Sequence, residues 1–288
     1  MSTERRERLP KTLYQEALAV RPLTTAATEA LVLLQNDAWN AEEVAALVRL
    51  DPLTTAEVLC LSNTSTTEEP IAEVAECLSR LGQAASQSLL EAASNRQEEL
   101  PNQDAYGLLP NTFWVHSLSV GVLAEGLAAK VGGVEDAFVA GLLHDIGRIP
   151  MSRQLDRQYP EFADQLLASP PQVTSIELET KLLGYHHAEV GAELLRSGRL
   201  PEAIAVACEF QHLPSQAPEP HRRLAAIVHT ADLYAASVGL GAGTVGLRQR
   251  IDPEGLEALG LGPMDVEPML AAHVEEVAAL TRIWLTDD

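Results

Sequence analysis

Residues 140–150 read AGLLHDIGRIP, an apolar run interrupted by a histidine and an aspartate side by side, His144 and Asp145. Alanine and leucine, which favour helices, precede the pair, and Gly147 follows it closely. The pattern predicts a buried helix that ends near Gly147 and carries two polar side chains at its end. Successive residues on a helix differ by about 100° in direction, so both side chains can reach one centre lying off the helix end.

The whole chain has the composition of an all-α protein. Of its 288 residues, 46% are hydrophobic and only 4% are aromatic, while alanine and leucine dominate. These residues favour packed helices over sheets, and β-branched runs are scarce. We therefore predict the all-α class, with an N-terminal short-helix bundle packed on a second helical domain.

Changes in composition along the chain predict three segments. Residues 1–95 carry short amphipathic helices and form a predicted N-terminal subdomain, and the polar, proline-rich residues 94–111 form a junction. Residues 96–240 form the second helical subdomain. Residues 241–288 combine an irregular segment with a C-terminal amphipathic helix, whose apolar face is Val266, Leu270, Val277 and Leu280. We expect the first two segments to pack directly, because short alanine-rich helices give neither of them a generous core.

The charge balance limits the partners of this protein. Twenty Lys and Arg residues against 41 Asp and Glu residues give a formal net charge of -21. A body this acidic repels phosphate backbones, so we predict no DNA partner. A small anionic ligand stays compatible with the sequence, because a metal ion or a local arginine dominates the field at short range.

Cysteine usage and hydropathy indicate the compartment. Cys60, Cys77 and Cys208 are scattered without a CxxC motif, which is typical of buried thiols in a reducing environment. The N-terminus is charged, and no apolar run reaches the about 18 residues that a membrane-spanning helix needs. We expect a soluble, cytoplasmic protein that makes no membrane contact.

Several polar side chains share helix faces with apolar neighbours. Helical spacing directs a histidine or an aspartate inward from four or five separate helices, the residues being His116, His144, Asp145, His187, His212 and Asp232. Burying these groups without a cation is costly unless they all pair with one another. A divalent metal offsets that cost, and imidazole nitrogens with carboxylate oxygens suit Fe, Mn, Zn or Ni.

Each of these residues also has a simpler interpretation. A buried histidine can be hydrogen-bonded within the core, and an aspartate near a helix end can be a cap or an ion-pair partner. His229, one turn before Asp232, could pair with that carboxylate. His186, His221 and His273 are expected at the surface.

Longer stretches of the sequence resemble the HDOD (HD-related output domain) family, whose relatives include HD phosphohydrolases and HD-GYP phosphodiesterases. The resemblance runs from about residue 9 to residue 240. In the first half it rests on LVRLDPLTTAEVLCLSNTS and CLSRLG. In the second half it rests on FWVHSLSVGVLAEGLA, FVAGLLHDIGRI, ETKLLGYHHAEVGAELL, LPEAIAVACEFQH and HTADLYAA. It implies a bacterial protein whose second subdomain is HD-like.

The resemblance implies a metal-ligand set. HD hydrolases hold their metal through a histidine, a His-Asp pair and a distal aspartate, which correspond to His116, His144, Asp145 and Asp232. The lysine that usually follows the His-Asp pair is replaced by Arg148, which can contact phosphate but does not share the proton-transfer chemistry of lysine.

The resemblance to HD-GYP relatives is incomplete. Those proteins bind a second metal through a further histidine and a His-His pair. His187 corresponds to the first, and the pair is Gln211–His212, so one ligand is missing and His187 and His212 stay possible second-site ligands. LPSQAPEP stands where the GYP segment would be, which argues against hydrolysis of cyclic di-GMP.

Two functions follow from the resemblance. The first is a stand-alone regulatory protein of signal transduction, which acts by binding signalling proteins or a small nucleotide. The alternative is a metal-dependent phosphohydrolase or phosphodiesterase of the HD superfamily, with Arg148 contacting phosphate. An enzyme needs an open coordination position and a pocket for a phosphate ester. The sequence leaves open which function is real, and also the ligand and the oligomeric state.

Overall fold

The computed structural model describes residues 24–96, 104–108, 112–240, 243, 248–261 and 272–280, and these residues contain helices and no strand. The helices of the N-terminal half are α1 (Thr24–Leu34), α2 (Ala41–Val48), α3 (Pro52–Thr64), α4 (Val74–Leu81) and α5 (Gln83–Ser94). Those of the second half are α6 (Thr112–Val131), α7 (Ala137–Leu143), α8 (Arg148–Gln158), α9 (Phe162–Ala168), α10 (Ser175–Leu183), α11 (His187–Ser197), α12 (Glu202–Phe210), α13 (Arg222–Ser237) and α14 (Pro253–Glu257). Short 3-10 helices span Asp104–Tyr106 and Pro214–Gln216, and residues 272–280 are helical.

Side-chain caps fix the starts of two N-terminal helices. The Asn40 side chain accepts a hydrogen bond from the N–H of Glu42 at 2.8 Å and begins α2. Asp51 accepts from the N–H of Thr54 at 2.6 Å and begins α3, and Pro52 follows it in the first turn. Both caps satisfy backbone donors that have no partner inside the helix.

One hydrophobic core spans both halves. Its main cluster of buried apolar residues includes Leu34, Leu59 and Leu78 from the bundle and Leu118, Leu142 and Ile227 from the second half. The predicted fold class, a short-helix bundle packed on a second helical domain, is therefore confirmed. The predicted segment boundaries near residues 95 and 240 stay predictions.

The predicted C-terminal amphipathic face is described in part. Val277 is buried in the main core and Leu280 packs against it. Val266 and Leu270 lie outside the described residues. None of the helices in the described ranges is both long and apolar enough to cross a bilayer.

Asp51 also joins the two halves, and this contact gives a first prediction. The indole N–H of Trp114 in α6 donates to Asp51 Oδ2 at 2.7 Å, and both residues are buried. We expect Trp114→Phe to lower the free energy of unfolding by about 1–3 kcal/mol, because a buried carboxylate oxygen loses a donor. Urea unfolding measures this change, and Trp39→Phe, at a half-buried position on the same core, is the control.

Wild-type protein should show one calorimetric transition, and two separated transitions would contradict direct packing of the halves.

Candidate metal centre

The turn between α7 and α8 is the focus of the candidate site. α7 ends with His144 as its C-cap, Asp145 lies in the turn, and α8 begins after Gly147, as the sequence predicted. His116 reaches this turn from α6 and Asp232 reaches it from α13. The side chains of these four residues are buried, each at most 3% exposed.

The donor atoms of these side chains converge on one centre. One ligand atom from each of His116, His144 and Asp145 lies within 4.8 Å of the other two. His116 Nε2 is 3.1 Å from Asp232 Oδ1 and 3.8 Å from Asp145 Oδ2. His144 Nε2 is 3.3 Å from Asp145 Oδ2 and 3.9 Å from Asp232 Oδ1. The four residues singled out in the sequence are therefore neighbours.

The second nitrogen of each imidazole defines which atoms face the centre. His116 Nδ1 lies 2.9 Å from the carbonyl oxygen of Leu240, and His144 Nδ1 lies 2.7 Å from that of Gly141. A carbonyl oxygen only accepts hydrogen bonds, so each Nδ1 carries a proton and donates it. In the neutral rings both Nε2 atoms then direct a lone pair at the carboxylates of Asp145 and Asp232.

Several buried acceptors thus face one another. Within the described ranges, no well-formed hydrogen bond reaches Nε2 of His116, Nε2 of His144, either carboxylate oxygen of Asp145, or Oδ1 of Asp232. Such a cluster is unfavourable unless protons or a cation lie between its members. Metal-binding histidines commonly donate the other ring N–H to a carbonyl, as both do here. The donor set therefore fits a divalent metal such as Fe, Mn, Zn or Ni.

The same arrangement attracts positive charge in the form of protons. Burial disfavours the charged imidazolium of His144, but the Asp145 and Asp232 carboxylates outweigh it and raise the pKa of His144 above its usual value. Burial also disfavours ionised Asp232, yet the contacts with His116 and His144 hold the pKa of this carboxyl below its usual range. The centre therefore contains ionised carboxylates, which nearby positive charge stabilises.

Arg148, at the start of α8, is a buried ion-pair partner of Asp145. Its Nε lies 3.0 Å from Asp145 Oδ2, and its guanidinium lies 5.6 Å from the centroid of the Tyr106 ring. Burial opposes ionisation of Asp145, but Arg148 and His144 outweigh it and hold the pKa of this carboxyl well below its usual range. The predicted contact between Arg148 and phosphate stays a prediction.

His187, at the start of α11, contacts the same carboxylate from another side. Its Nε2 is 3.4 Å from Asp145 Oδ1, and its Nδ1 donates to Glu179 at 2.9 Å. Its backbone N–H also donates to Glu179, at 2.7 Å. Burial opposes protonation of the ring, but Glu179 outweighs it and raises the pKa of His187 to about 9. His187 is therefore a cation at neutral pH.

His187 and His212 pair with each other beside the centre. Their Nε2 atoms are 2.9 Å apart. Burial and the His187 cation hold the pKa of His212 well below its usual value, so His187 donates and His212 accepts. Gln211 donates its side-chain amide to the carbonyl oxygen of His144 at 2.7 Å. Among the described residues the converging donors are thus those of His116, His144 and Asp145, and the second-site role of His187 and His212 stays a prediction.

His229 does not pair with Asp232, so that interpretation of the sequence is wrong. His229 Nδ1 donates to the carbonyl oxygen of Gln211 at 2.6 Å, and its Nε2 accepts from the N–H of Asp252 at 3.1 Å. These contacts turn the ring toward the backbone and leave Asp232 for the centre. The three histidines expected at the surface are half-buried: His186, His221 and His273.

Sequence reasoning missed three residues around the centre. Glu179 fixes His187, the Tyr106 ring lies 6.5 Å from the His187 ring, and the Gln249 amide donates to Asp232 Oδ2 at 2.7 Å. None of them belongs to a motif with recognisable spacing. The only signal was weak, namely an acidic residue in the turns before the His186–His187 pair, in ETKLLGYHH.

A small pocket lies beside the centre in the part of the chain that the structure describes. The nearest described pocket has a volume of about 90 Å³ and is bordered by His212, Gln249, Arg248 and Arg250 and by the start of α10. His212 and Gln249 therefore separate this pocket from the buried donors.

Comparisons with known sequences agree with the motifs. The sequence profile of the HDOD domain family matches residues 20–214, more than half of the chain. The match stops before Asp232, so the family profile does not cover this carboxylate, which the sequence pattern predicted and the structure places at the centre. An uncharacterized protein of Treponema pallidum is 26% identical over 211 residues, which cover 69% of this chain and 39% of that protein. The chain thus spans about two fifths of the length of this curated relative.

Comparisons with solved structures agree with the helical fold. The MmoQ response regulator of Methylococcus capsulatus is 22% identical, with a TM-score of 0.63 over 88% of this chain and 98% of that one. A virulence factor of Campylobacter jejuni is 19% identical, with a TM-score of 0.62 over 78% and 80%. An HDOD domain protein with unknown function from Geobacter sulfurreducens is 22% identical, with a TM-score of 0.50 over 94% and 97%. At these identities the likeness concerns the fold.

Proposed function

Because this chain belongs to the HDOD domain family, we propose that it is a regulatory protein of signal transduction whose HD centre binds one divalent metal ion. One observation supports the metal site most directly. The Nδ1 atoms of His116 and His144 donate to carbonyl oxygens, so the lone pairs of both Nε2 atoms face ionised carboxylates. His116, His144, Asp145 and Asp232 would hold the ion. When bound, it would supply positive charge and Lewis acidity at this buried point.

The side chains beside the centre are engaged with one another, which favours a regulatory role over hydrolysis. Pockets for small-molecule ligands commonly measure about 300–1,000 Å³, whereas the pocket beside His212 is about 90 Å³. His187 is engaged by Glu179 and His212, and Gln211 is engaged by a backbone carbonyl. These contacts hold the side chains beside the centre in place, which supports action through partner or nucleotide binding at the protein surface.

A phosphohydrolase is the second candidate, favoured by the donor set itself. Two histidines and two aspartates leave coordination positions free on most divalent metals. In this case Arg148 would offset charge on a bound phosphate, and His212, which borders the pocket, would contact the substrate. His212 borders the pocket on one side and contacts His187 on the other, which supports this candidate.

Elemental mass spectrometry of untagged protein tests the proposal. We expect about one equivalent of a divalent transition metal per chain, and close to none in His144→Ala. His221→Ala is the control, because this half-buried histidine lies at the start of α13 and should leave the metal content unchanged. Metal-free wild-type protein would overturn the proposed metal site. Turnover of cyclic dinucleotides or simple phosphate esters by metal-loaded protein would favour the second candidate.

A further inference from the structure

One contact with the centre comes from outside the region that matches the family. We call residues Arg248, Gln249 and Arg250 the strap. Gln249 Nε2 donates to Asp232 Oδ2 at 2.7 Å, while Asp232 Oδ1 lies 3.1 Å from His116 Nε2. The amide therefore fixes the rotation of the carboxylate and leaves the other oxygen directed at the donor set.

Two arginines hold the strap against the end of α9, the start of α10 and the segment between them. Arg248 donates to the carbonyl oxygens of Leu167 at 2.8 Å and of Pro170 at 3.1 Å. Arg250 donates to the carbonyl oxygen of Gln172 at 3.0 Å and to a carboxylate oxygen of Glu177 at 3.2 Å. Because both neighbours of Gln249 are anchored on this segment, the side chain between them is held against Asp232.

The burial of Gln249 points to a role other than stability. Its amide donates to Asp232, yet within the described ranges its Oε1 is buried without a hydrogen-bond partner. A buried acceptor in this state is unfavourable by about 1–3 kcal/mol. Among the described residues, the hydrogen bond that the Gln249 side chain makes is the one to Asp232, a candidate ligand.

We propose that Gln249 is a positioning residue for Asp232 and that Arg248 and Arg250 are the clamp that holds it in place. This inference rests on the proposed metal site. Hydrogen-bonding partners of metal ligands orient them, and loss of such a partner typically weakens metal binding by about 10–100-fold. The strap, which like Asp232 lies beyond the matched residues, would thus make the affinity of the HD centre depend on residues 248–250.

A mutant cycle on the full chain tests the inference, with Mn²⁺ as the probe and its dissociation constant as the measurement. We expect about 10–100-fold weaker binding in Gln249→Ala, and a similar loss in the double variant Arg248→Ala/Arg250→Ala. The triple variant should be no weaker than Gln249→Ala, because the clamp acts through Gln249. Arg222→Ala is the matched control, since Arg222 also donates to a carbonyl oxygen, of Ala217, and pairs with Glu219. It should bind Mn²⁺ like wild type.

Two results would overturn the inference. Unchanged Mn²⁺ affinity in Arg248→Ala/Arg250→Ala would show that the arginines only anchor the chain. Additive losses of affinity in the triple variant would show that the arginines do not act through Gln249. If wild type binds none of Mn²⁺, Fe²⁺, Zn²⁺ and Ni²⁺, the proposed metal site fails, and the same variants are then compared by urea unfolding in the presence of a chelator. If the losses of stability in the triple variant are non-additive, the inference that the arginines act through Gln249 stands. If they are additive, that inference is rejected.

Discussion

Replacing Asp145 with alanine is expected to remove the bound metal and to lower the free energy of unfolding by about 3–5 kcal/mol. The carboxylate lies between three cationic or metal-facing groups, Arg148 Nε at 3.0 Å, His144 Nε2 at 3.3 Å and His187 Nε2 at 3.4 Å. Its removal leaves the buried guanidinium without this partner and takes one donor from the centre. Metal content and urea unfolding measure the two effects separately.

A second variant separates loss of the ligand from loss of the fold. Asp145→Asn keeps the size of the side chain and one carbonyl oxygen for Arg148, so it should fold better than the alanine variant and still lose most of the metal. Asp156→Ala is the control, because Asp156 in α8 accepts from the N–H of Ala105 at 2.9 Å. It should keep the metal. A wild type without metal, with Asp145→Ala merely destabilised, would show that the centre is a closed cluster of paired side chains.

Gly147→Ala is expected to destabilise the protein by about 3 kcal/mol or more, the upper range for overpacking a core. A β-carbon at this position would lie 2.0 Å from the carbonyl oxygen of His187 and 2.5 Å from the nitrogen of Gly191. Both are backbone atoms of α11, so neither can rotate away. The main chain of Gly147 has ordinary helical angles, which means that space alone requires glycine here.

Gly191→Ala provides a graded comparison. The atom nearest to its added β-carbon is Cys208 Sγ at 2.7 Å, a side-chain atom that can shift, so the loss of stability should be smaller than for Gly147→Ala. Gly147→Ala should also displace His187 and weaken Mn²⁺ binding. Urea unfolding measures the stabilities, and a Gly147→Ala variant within 1 kcal/mol of wild type, a difference typical of tolerated substitutions, would contradict the close approach of α8 and α11.

The sequence by itself determined the helical class and the location of the central turn. Helix formation and capping depend on neighbours within four residues, so Asn40 and the break at Gly147 could be identified locally. The inward direction of His116 and Asp232 follows from the 3.6-residue period of α6 and α13. These signals are contained in short windows of sequence, which is why they identified the inward-directed histidines and aspartates, whereas the choice of four ligands among them is what the family resemblance implies.

Only the tertiary structure decided which side chains surround those residues and hydrogen-bond to them. Glu179, Tyr106 and Gln249 reach the centre from α10, a 3-10 helix and the strap, and their contacts join residues without any fixed spacing. The same holds for His229, whose ring nitrogens are taken by Gln211 and Asp252 instead of Asp232, one turn away. Hydrogen bonds between distant segments depend on how helices cross in space, and the local sequence does not encode that geometry.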